Sequence, residues 1–396
     1  MYSLRSHFDL TPNRIAQAIA SVRKAGRPLL DLTESNPTKA AIPCDGPAVL
    51  AALAAPASLV YEPSALGTMG AREAVASYLA AEGIPIEPAH IALTTSTSEA
   101  YAFAFKLLCD PGDEVLVPQP SYPLFEHLAA LECVRPVGYR LAYDGAWHID
   151  LPSLRSALSE RSRAIVCVNP NNPTGSYVKA AELAALASLG LPIVSDEVFA
   201  PYALRDDPTR ARSAIAAPGA PLVLALGGLS KSAALPQMKL GWMALSGEPA
   251  RVDEALDRLE LIADAFLSVG APVQHALPAL FAAGSISRQA IRARTRANVN
   301  WLAAAVLGSP ASLLDVEGGW YAVLRIPGTR SEEEWVSAFV TDDGVLVHPG
   351  HFFDFESEAY VVMSLLTPEP ILREGCARIL ARIAGESGAS RASVSA

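Results

Sequence analysis

The chain has 396 residues, 51% of them hydrophobic, a formal net charge of −10 and five cysteines, which is enough apolar material for two or three domains around large cores. Its apolar runs never reach membrane-spanning length, and the opening Met1-Tyr2-Ser3-Leu4-Arg5-Ser6-His7 lacks the hydrophobic stretch of a signal peptide, so a soluble, cytoplasmic protein is expected. The acidic balance without a basic cluster argues against a nucleic acid or an anionic membrane as partner, and an odd cysteine count without a CxxC spacing reads as reduced core thiols.

Thr11 and Pro12 fit an N-cap and first-turn proline for a helix with the apolar stripe Ile15, Ala18, Ile19 and Val22, closed by Gly26. The polar stretch Leu32-Thr33-Glu34-Ser35-Asn36-Pro37-Thr38-Lys39 reads as an irregular loop that could line a cleft or simply turn at the surface. Beyond Tyr61-Glu62-Pro63-Ser64-Ala65-Leu66-Gly67, a helix is predicted over 71–82 with Gly83 as its stop. Ile91-Ala92-Leu93 is a short buried strand running into Thr94-Thr95-Ser96-Thr97-Ser98, and a helix opens at Glu99-Ala100-Tyr101. Hydroxyls and backbone N–H groups gathered at a helix N-terminus can cradle a phosphate, though an ordinary N-cap needs only one of them.

Asp110-Pro111-Gly112-Asp113 is a turn before the strand Glu114-Val115-Leu116-Val117, and Pro120-Ser121-Tyr122-Pro123 starts another helix. A strand near 137–141 and a helix near 152–158 lead to the largely apolar Arg163-Ala164-Ile165-Val166-Cys167-Val168, a pattern suited to a parallel strand covered on both faces. That run ends in the amide- and proline-rich loop Asn169-Pro170-Asn171-Asn172-Pro173-Thr174-Gly175. After a helix over 180–189, the strand Pro192-Ile193-Val194-Ser195 delivers Asp196-Glu197 to its carboxyl end, where open α/β sheets place their ligands. Leu222-Val223-Leu224-Ala225-Leu226 and the pair Gly227-Gly228 then bring Leu229-Ser230-Lys231-Ser232 to a strand-end turn. A lysine held in a partly dry site loses proton affinity and can attack an aldehyde. Long helices over 249–267 and 285–307 follow, then short strands at Trp320-Tyr321-Ala322-Val323-Leu324 and Tyr360-Val361-Val362-Met363. Strand and helix alternation predicts an α/β fold with a mostly parallel central sheet and a second, smaller α+β domain. The expected division is an N-terminal segment over 1–45 packing with the small domain, a large domain over 46–284, and a small C-terminal domain over 285–396 with a disordered, Gly- and Ser-rich tail from 385.

Asn-Pro-Asn-Asn-Pro-Thr-Gly at 169–175, Asp196-Glu197-Val198, and Ser230-Lys231 with a cation eight positions on at Lys239 together resemble the class I/II aminotransferases, which are fold-type I pyridoxal-phosphate enzymes. The likeness runs from about Leu32 to Ala384. It implies that Lys231 forms an aldimine with pyridoxal 5'-phosphate, that Asp196 pairs with the pyridinium nitrogen, and that Tyr122 stacks on the ring. It further implies that Asn172 bonds the phenolic oxygen and that Ser96, Thr97, Ser98, Ser230 and Lys239 hold the phosphate. Tyr61 would reach the neighbouring site of a homodimer. The implied activity is a ping-pong transfer of an amino group from an amino acid to a 2-oxo acid. Elimination, cyclisation or oxidation at Cα is the alternative outcome on the same cofactor.

Three departures stand out. Lys239 replaces the family's usual arginine, so the phosphate grip is less directional. Phe199 stands where a tyrosine usually donates to the phenolate oxygen, so the lysine–cofactor linkage is expected to titrate at a higher pH than in tyrosine-bearing relatives. Val362 occupies the place of the arginine that normally grips the substrate carboxylate. Another cation, a shifted register or a differently held substrate would account for it. Asn36, Lys39 and His351, with His348 beside the last, are the candidate substrate contacts.

Overall fold

The computed structural model describes residues 2–357 and 359–394. Its first strand, β1 (Leu30–Asp31), precedes an eight-stranded sheet built from β2 (Ile91–Thr94), β3 (Glu114–Gln119), β4 (Arg135–Tyr143), β5 (Trp147–Ile149), β6 (Ser162–Val168), β7 (Ile193–Asp196), β8 (Leu222–Gly228) and β9 (Gly241–Gly247). The strand order is β2-β9-β8-β7-β6-β3-β4-β5. The centre, β4-β3-β6-β7-β8, is parallel, and β9, β2 and β5 add antiparallel edges.

The apolar runs of the central strands have a direct cause. Alternate residues feed two different cores: Ile165, Cys167, Ile193 and Val223 pack on one face, while Ala164, Val166, Val194 and Leu224 pack on the other. A strand covered on both sides has no reason to alternate apolar with polar.

A second, antiparallel sheet joins β10 (Ser312–Leu313), β11 (Tyr321–Arg325), β13 (His348–Pro349) and β14 (Tyr360–Ser364) in the order β10-β11-β14-β13. β1 pairs in parallel with β12 (Val345–Leu346), and Ile15, Val22 and Leu32 share a core with Trp335, Phe339, Val361 and Leu372.

Three expectations need correction. The first helix is Arg14–Lys24, capped by Asn13, whose Oδ1 accepts from the Ala16 N–H at 2.8 Å; Thr11 instead donates its own N–H to Asp9 Oδ1. The long C-terminal helix starts well before 285: it runs Ala271–Ala305 with Pro278 inside it. Gly284 is there for close packing, since a Cβ would come within 2.9 Å of Ala233 backbone atoms. Finally, the last helix spans Glu369–Val394, so the backbone is helical over most of the tail expected to be disordered, while residues 395 and 396 lie outside the described residues. No helix of the described residues is long and apolar enough to cross a membrane.

Candidate active site

Four connections leave the carboxyl ends of β2, β6, β7 and β8 on one edge of the large sheet, the place where open α/β sheets collect ligands. The open cavity between them, counted out to the solvent at its mouth, is about 1230 Å³. Lys231, Asp196 and Asn172 lie on its wall together with Phe199 and Tyr122. Ser96, Thr97 and Ser98 line it too, as do Ser230 and Lys239.

Lys231 sits in the single helical turn Leu229–Ser232 that follows β8. Side chains fix that turn: Tyr202 Oη donates to the Lys231 carbonyl at 2.5 Å, and Ser232 Oγ donates to the Gly228 carbonyl at 2.9 Å. The amine stands 4.6 Å from the Trp320 ring centroid and 5.3 Å from that of Phe199, with no hydrogen bond to it among the described residues. Burial pulls its pKa down to about 8, against the opposing pull of the Asp196 charge. An amine in that range is in part neutral at physiological pH and so nucleophilic.

Asp196 ends β7 and accepts from the Val198 N–H at 3.2 Å and from Tyr101 Oη at 3.3 Å. Burial pushes its pKa up to about 6, although both bonds and the nearby Lys231 favour the ionised form. An acid and an amine thus face one cavity, each held away from its ordinary pKa by loss of solvent.

The hydroxyl run after β2 divides its labour. Thr94 is fully buried and donates to the Ser96 carbonyl at 3.0 Å, and the Thr95 N–H is taken by Glu99 Oε2 at 2.7 Å. Ser96 Oγ caps the helix Thr97–Leu108 by accepting from the Glu99 N–H at 3.2 Å. Only Ser96, Thr97 and Ser98 face the cavity, at the positive end of that helix. Gly228 stands where relatives often carry a phosphate-binding hydroxyl, and a Cβ there would meet Gly241 Cα at 3.3 Å. Lys239 is exposed and adopts a left-handed backbone, φ 52°, after the short helix Pro236–Met238.

The other sequence candidates fall elsewhere. Tyr61 is 79% exposed and borders a separate hollow with Val60, Leu267 and His275. Asn36 Oδ1 is taken by the Thr38 N–H and hydroxyl, Lys39 is exposed, and His351 Nδ1 contacts Glu332 Oε2 at 3.1 Å; none of these three lines the cavity. His348 packs its ring against Phe352 and Phe353. Val362 is fully buried in β14. Sequence reasoning missed Tyr101, Trp320, Tyr321 and Ser35, all but Trp320 on the cavity wall. Only Ser35 had a signal, its place in the polar loop 32–39.

The donor set fits pyridoxal phosphate. Asn172 Oδ1 is buried without a partner among the described residues, and since the orientation of a side-chain amide is an assignment, this side chain can offer either its oxygen or its NH₂ to a polar group in the cavity. A half-buried amine suits an aldehyde, a half-buried carboxylate suits a cationic ring nitrogen, and hydroxyls with a lysine at a helix N-terminus suit a phosphate.

Comparison with known proteins agrees with this reading. The family model for aminotransferase class I and II matches residues 27–379. The chain is 32% identical to an alanine aminotransferase of Mycobacterium tuberculosis over 217 residues, 53% of this chain and 50% of that protein. It is 26% identical to the tyrosine aminotransferase of Bos taurus over 337 residues, 81% of this chain and 73% of that one. The aligned part thus spans about half the length of the alanine aminotransferase. Among solved structures, an alanine aminotransferase from Pyrococcus furiosus superposes with a TM-score of 0.85 at 23% identity, covering 97% of this chain and 99% of that one, a likeness of fold.

Proposed function

The chain belongs to the class I and II aminotransferases, and from that premise we propose that it moves an amino group from an amino acid to a 2-oxo acid in a ping-pong cycle, using pyridoxal 5'-phosphate. The observation that carries this is the placement of the Lys231 amine and the Asp196 carboxyl on one cavity wall, each with its pKa shifted by burial.

When bound, pyridoxal phosphate supplies an aldehyde that captures the substrate nitrogen and a ring that accepts the electron pair left when a Cα–H bond breaks. Lys231 would hold that aldehyde and, once released by the incoming amine, move a proton from and to Cα. Asp196 would keep the ring nitrogen protonated. A cation beside it restores the ionised carboxylate that burial alone disfavours. Asn172 would bond the phenolic oxygen, Tyr122 and Phe199 would offer ring faces, and Ser96, Thr97, Ser98, Ser230 and Lys239 would take the phosphate. Phe199 brings no hydroxyl to that set.

Tyr61, exposed and outside its own cavity, is proposed to complete the phosphate site of a second copy in a homodimer. All five cysteines are free, which accords with work in the reducing cytoplasm.

Incubating the purified, cofactor-loaded protein with an amino donor alone tests the reading. An aminotransferase converts the bound cofactor to its amine form and stops there; addition of a 2-oxo acid restores the aldehyde. A lyase or oxidase regenerates the aldehyde without the second substrate.

A further inference from the structure

The cavity wall carries two cations among the described residues, Lys231 and Lys239. On the aminotransferase reading, on which this inference rests, the cofactor occupies both: the aldehyde takes one and the phosphate the other. Asp196 is an acid, and the Glu34 charge acts on Tyr321 from the N-terminal loop. A substrate carboxylate therefore finds no guanidinium or ammonium of its own on this wall among the described residues. It needs donors that are neutral.

The small sheet offers them. β11 and β14 are antiparallel, with Tyr321 opposite Ser364 and Val323 opposite Val362. Residues directly opposite and two apart along a strand share one face of a sheet. Tyr321, Val323, Val362 and Ser364 therefore stand on the same face, and Val362 is the diagonal neighbour of Tyr321. Val362 is fully buried and has nothing to donate. Tyr321 extends to the cavity and meets Phe199 edge-on at 6.3 Å between ring centroids.

Ser35 comes to the same place by a long-range contact. Ser364 donates its N–H to the Leu32 carbonyl at 2.7 Å, which docks the N-terminal loop on the strand facing Tyr321. Thr33 N–H on Asp31 Oδ1 and Asn36 N–H on Glu34 Oε1, both at 2.8 Å, hold the loop in shape around Ser35. Ser35 is then a wall residue of the same cavity as Tyr321.

We propose that the hydroxyls of Tyr321 and Ser35 hold the substrate's carboxylate, in place of an arginine. Two neutral donors suffice for one carboxylate, because hydrogen bonds to an ionised acceptor are the strong ones. They leave nothing for a second. Elsewhere the wall carries the rings of Tyr101, Tyr122, Phe125 and Phe199 and the aliphatic Leu128. The substrates selected are monocarboxylates with a bulky uncharged side chain, and dicarboxylates are refused because burying an unpaired carboxylate is costly.

Three unreactive probes test this on the pyridoxal-phosphate-loaded protein, with dissociation constants read from the change in cofactor absorbance: 3-phenylpropanoate, its alcohol 3-phenylpropan-1-ol, and glutarate. The expected order is phenylpropanoate tighter than glutarate by at least about tenfold. Tyr321→Phe should weaken phenylpropanoate by about tenfold and leave the alcohol within about twofold. Ser35→Ala should do the same to a smaller degree, and it decides the matter if Tyr321→Phe does not fold. Equal weakening of acid and alcohol would make Tyr321 a packing residue and overturn the proposal. So would unchanged phenylpropanoate binding, or glutarate binding as tightly as phenylpropanoate. Binding needs no turnover: predicted binding without amino transfer refutes the function and not this grip, while amino transfer with unaltered variants refutes only the grip.

Discussion

The two sides of the cavity differ in how they treat charge. On the large-sheet side, strand ends deliver an acid and an amine into surroundings that shift both, Asp196 up to about 6 and Lys231 down to about 8. On the small-sheet side the wall is neutral: Tyr321, pushed up to about 12 by burial, stands with Ser35, and Val362 is apolar. Perturbed charges belong where a reacting group's electronic state is set, and neutral donors belong where substrates are sorted. The large-sheet side would then serve any amino substrate, and the small-sheet side would choose among them.

The largest effect should come from the charged side. Lys231→Ala removes both the attachment point and the proton carrier, and amino transfer should fall by at least about 10³-fold in steady-state assays. A variant with a tenth of the original rate would break the contrast between the two sides. Asp196→Ala should lower kcat by about 10²-fold or more, because the carboxylate acts on charge at the ring nitrogen. An unchanged kcat with a raised KM would move Asp196 to a binding role.

Lys239→Arg sharpens the phosphate end of the comparison. A planar fork in place of a point charge should tighten cofactor retention by up to about tenfold, measured by equilibrium dialysis. Looser retention would show that the left-handed backbone at 239 suits only the shorter reach of lysine. Tyr101→Phe should cost less than about tenfold in rate. Its hydroxyl favours the ionised form of Asp196, so its loss should move the acid limb of the pH–kcat/KM profile to higher pH. A lower rate with an unmoved limb would mean a packing role.

The smallest effect concerns the cofactor-free fold. Glu197, beside Asp196, accepts from Ser195 Oγ at 2.9 Å and from the Ala214 N–H at 2.7 Å, and burial raises it to about 7. A carboxyl with a folded pKa above its unfolded one contributes stability below the unfolded value that is lost as pH rises through the folded value. With Asp196 moved from 3.8 to about 6 and Glu197 from 4.5 to about 7, thermal stability should decline between about pH 4 and pH 7. Glu197→Gln should flatten the upper part of that slope. A slope unaltered in the variant would assign the decline to other groups.

Residues at strand ends were legible before the fold was known, because strand, turn residue and polar group follow one another in the chain. Asp196 after Ile193-Val194-Ser195 and Lys231 after Gly227-Gly228 are of this kind. Tyr321 and Ser35 were not. They share a wall because Ser364 bonds Leu32 across more than three hundred residues of sequence; the polar loop 32–39 marks Ser35 only as a cleft-or-surface residue, and nothing local marks Tyr321. Tyr101 was hidden for the same reason, as a helix residue whose partner lies 95 positions on. Helix ends were less legible than strand ends. The helix expected over 285–307 runs Ala271–Ala305, through Pro278 and through Gly284, which is pressed against Ala233. Asn13 took the cap expected of Thr11 because its side chain reaches the Ala16 N–H.

The central claim is that one amine, that of Lys231, carries the cofactor on the large-sheet side of the cavity. Borohydride reduction of the loaded protein, followed by proteolysis and mass mapping, tests it directly. The account predicts a single pyridoxyl adduct on the peptide containing Lys231, absent in Lys231→Ala. An adduct on Lys239 or another lysine, or none at all in a protein that retains the cofactor, would contradict it.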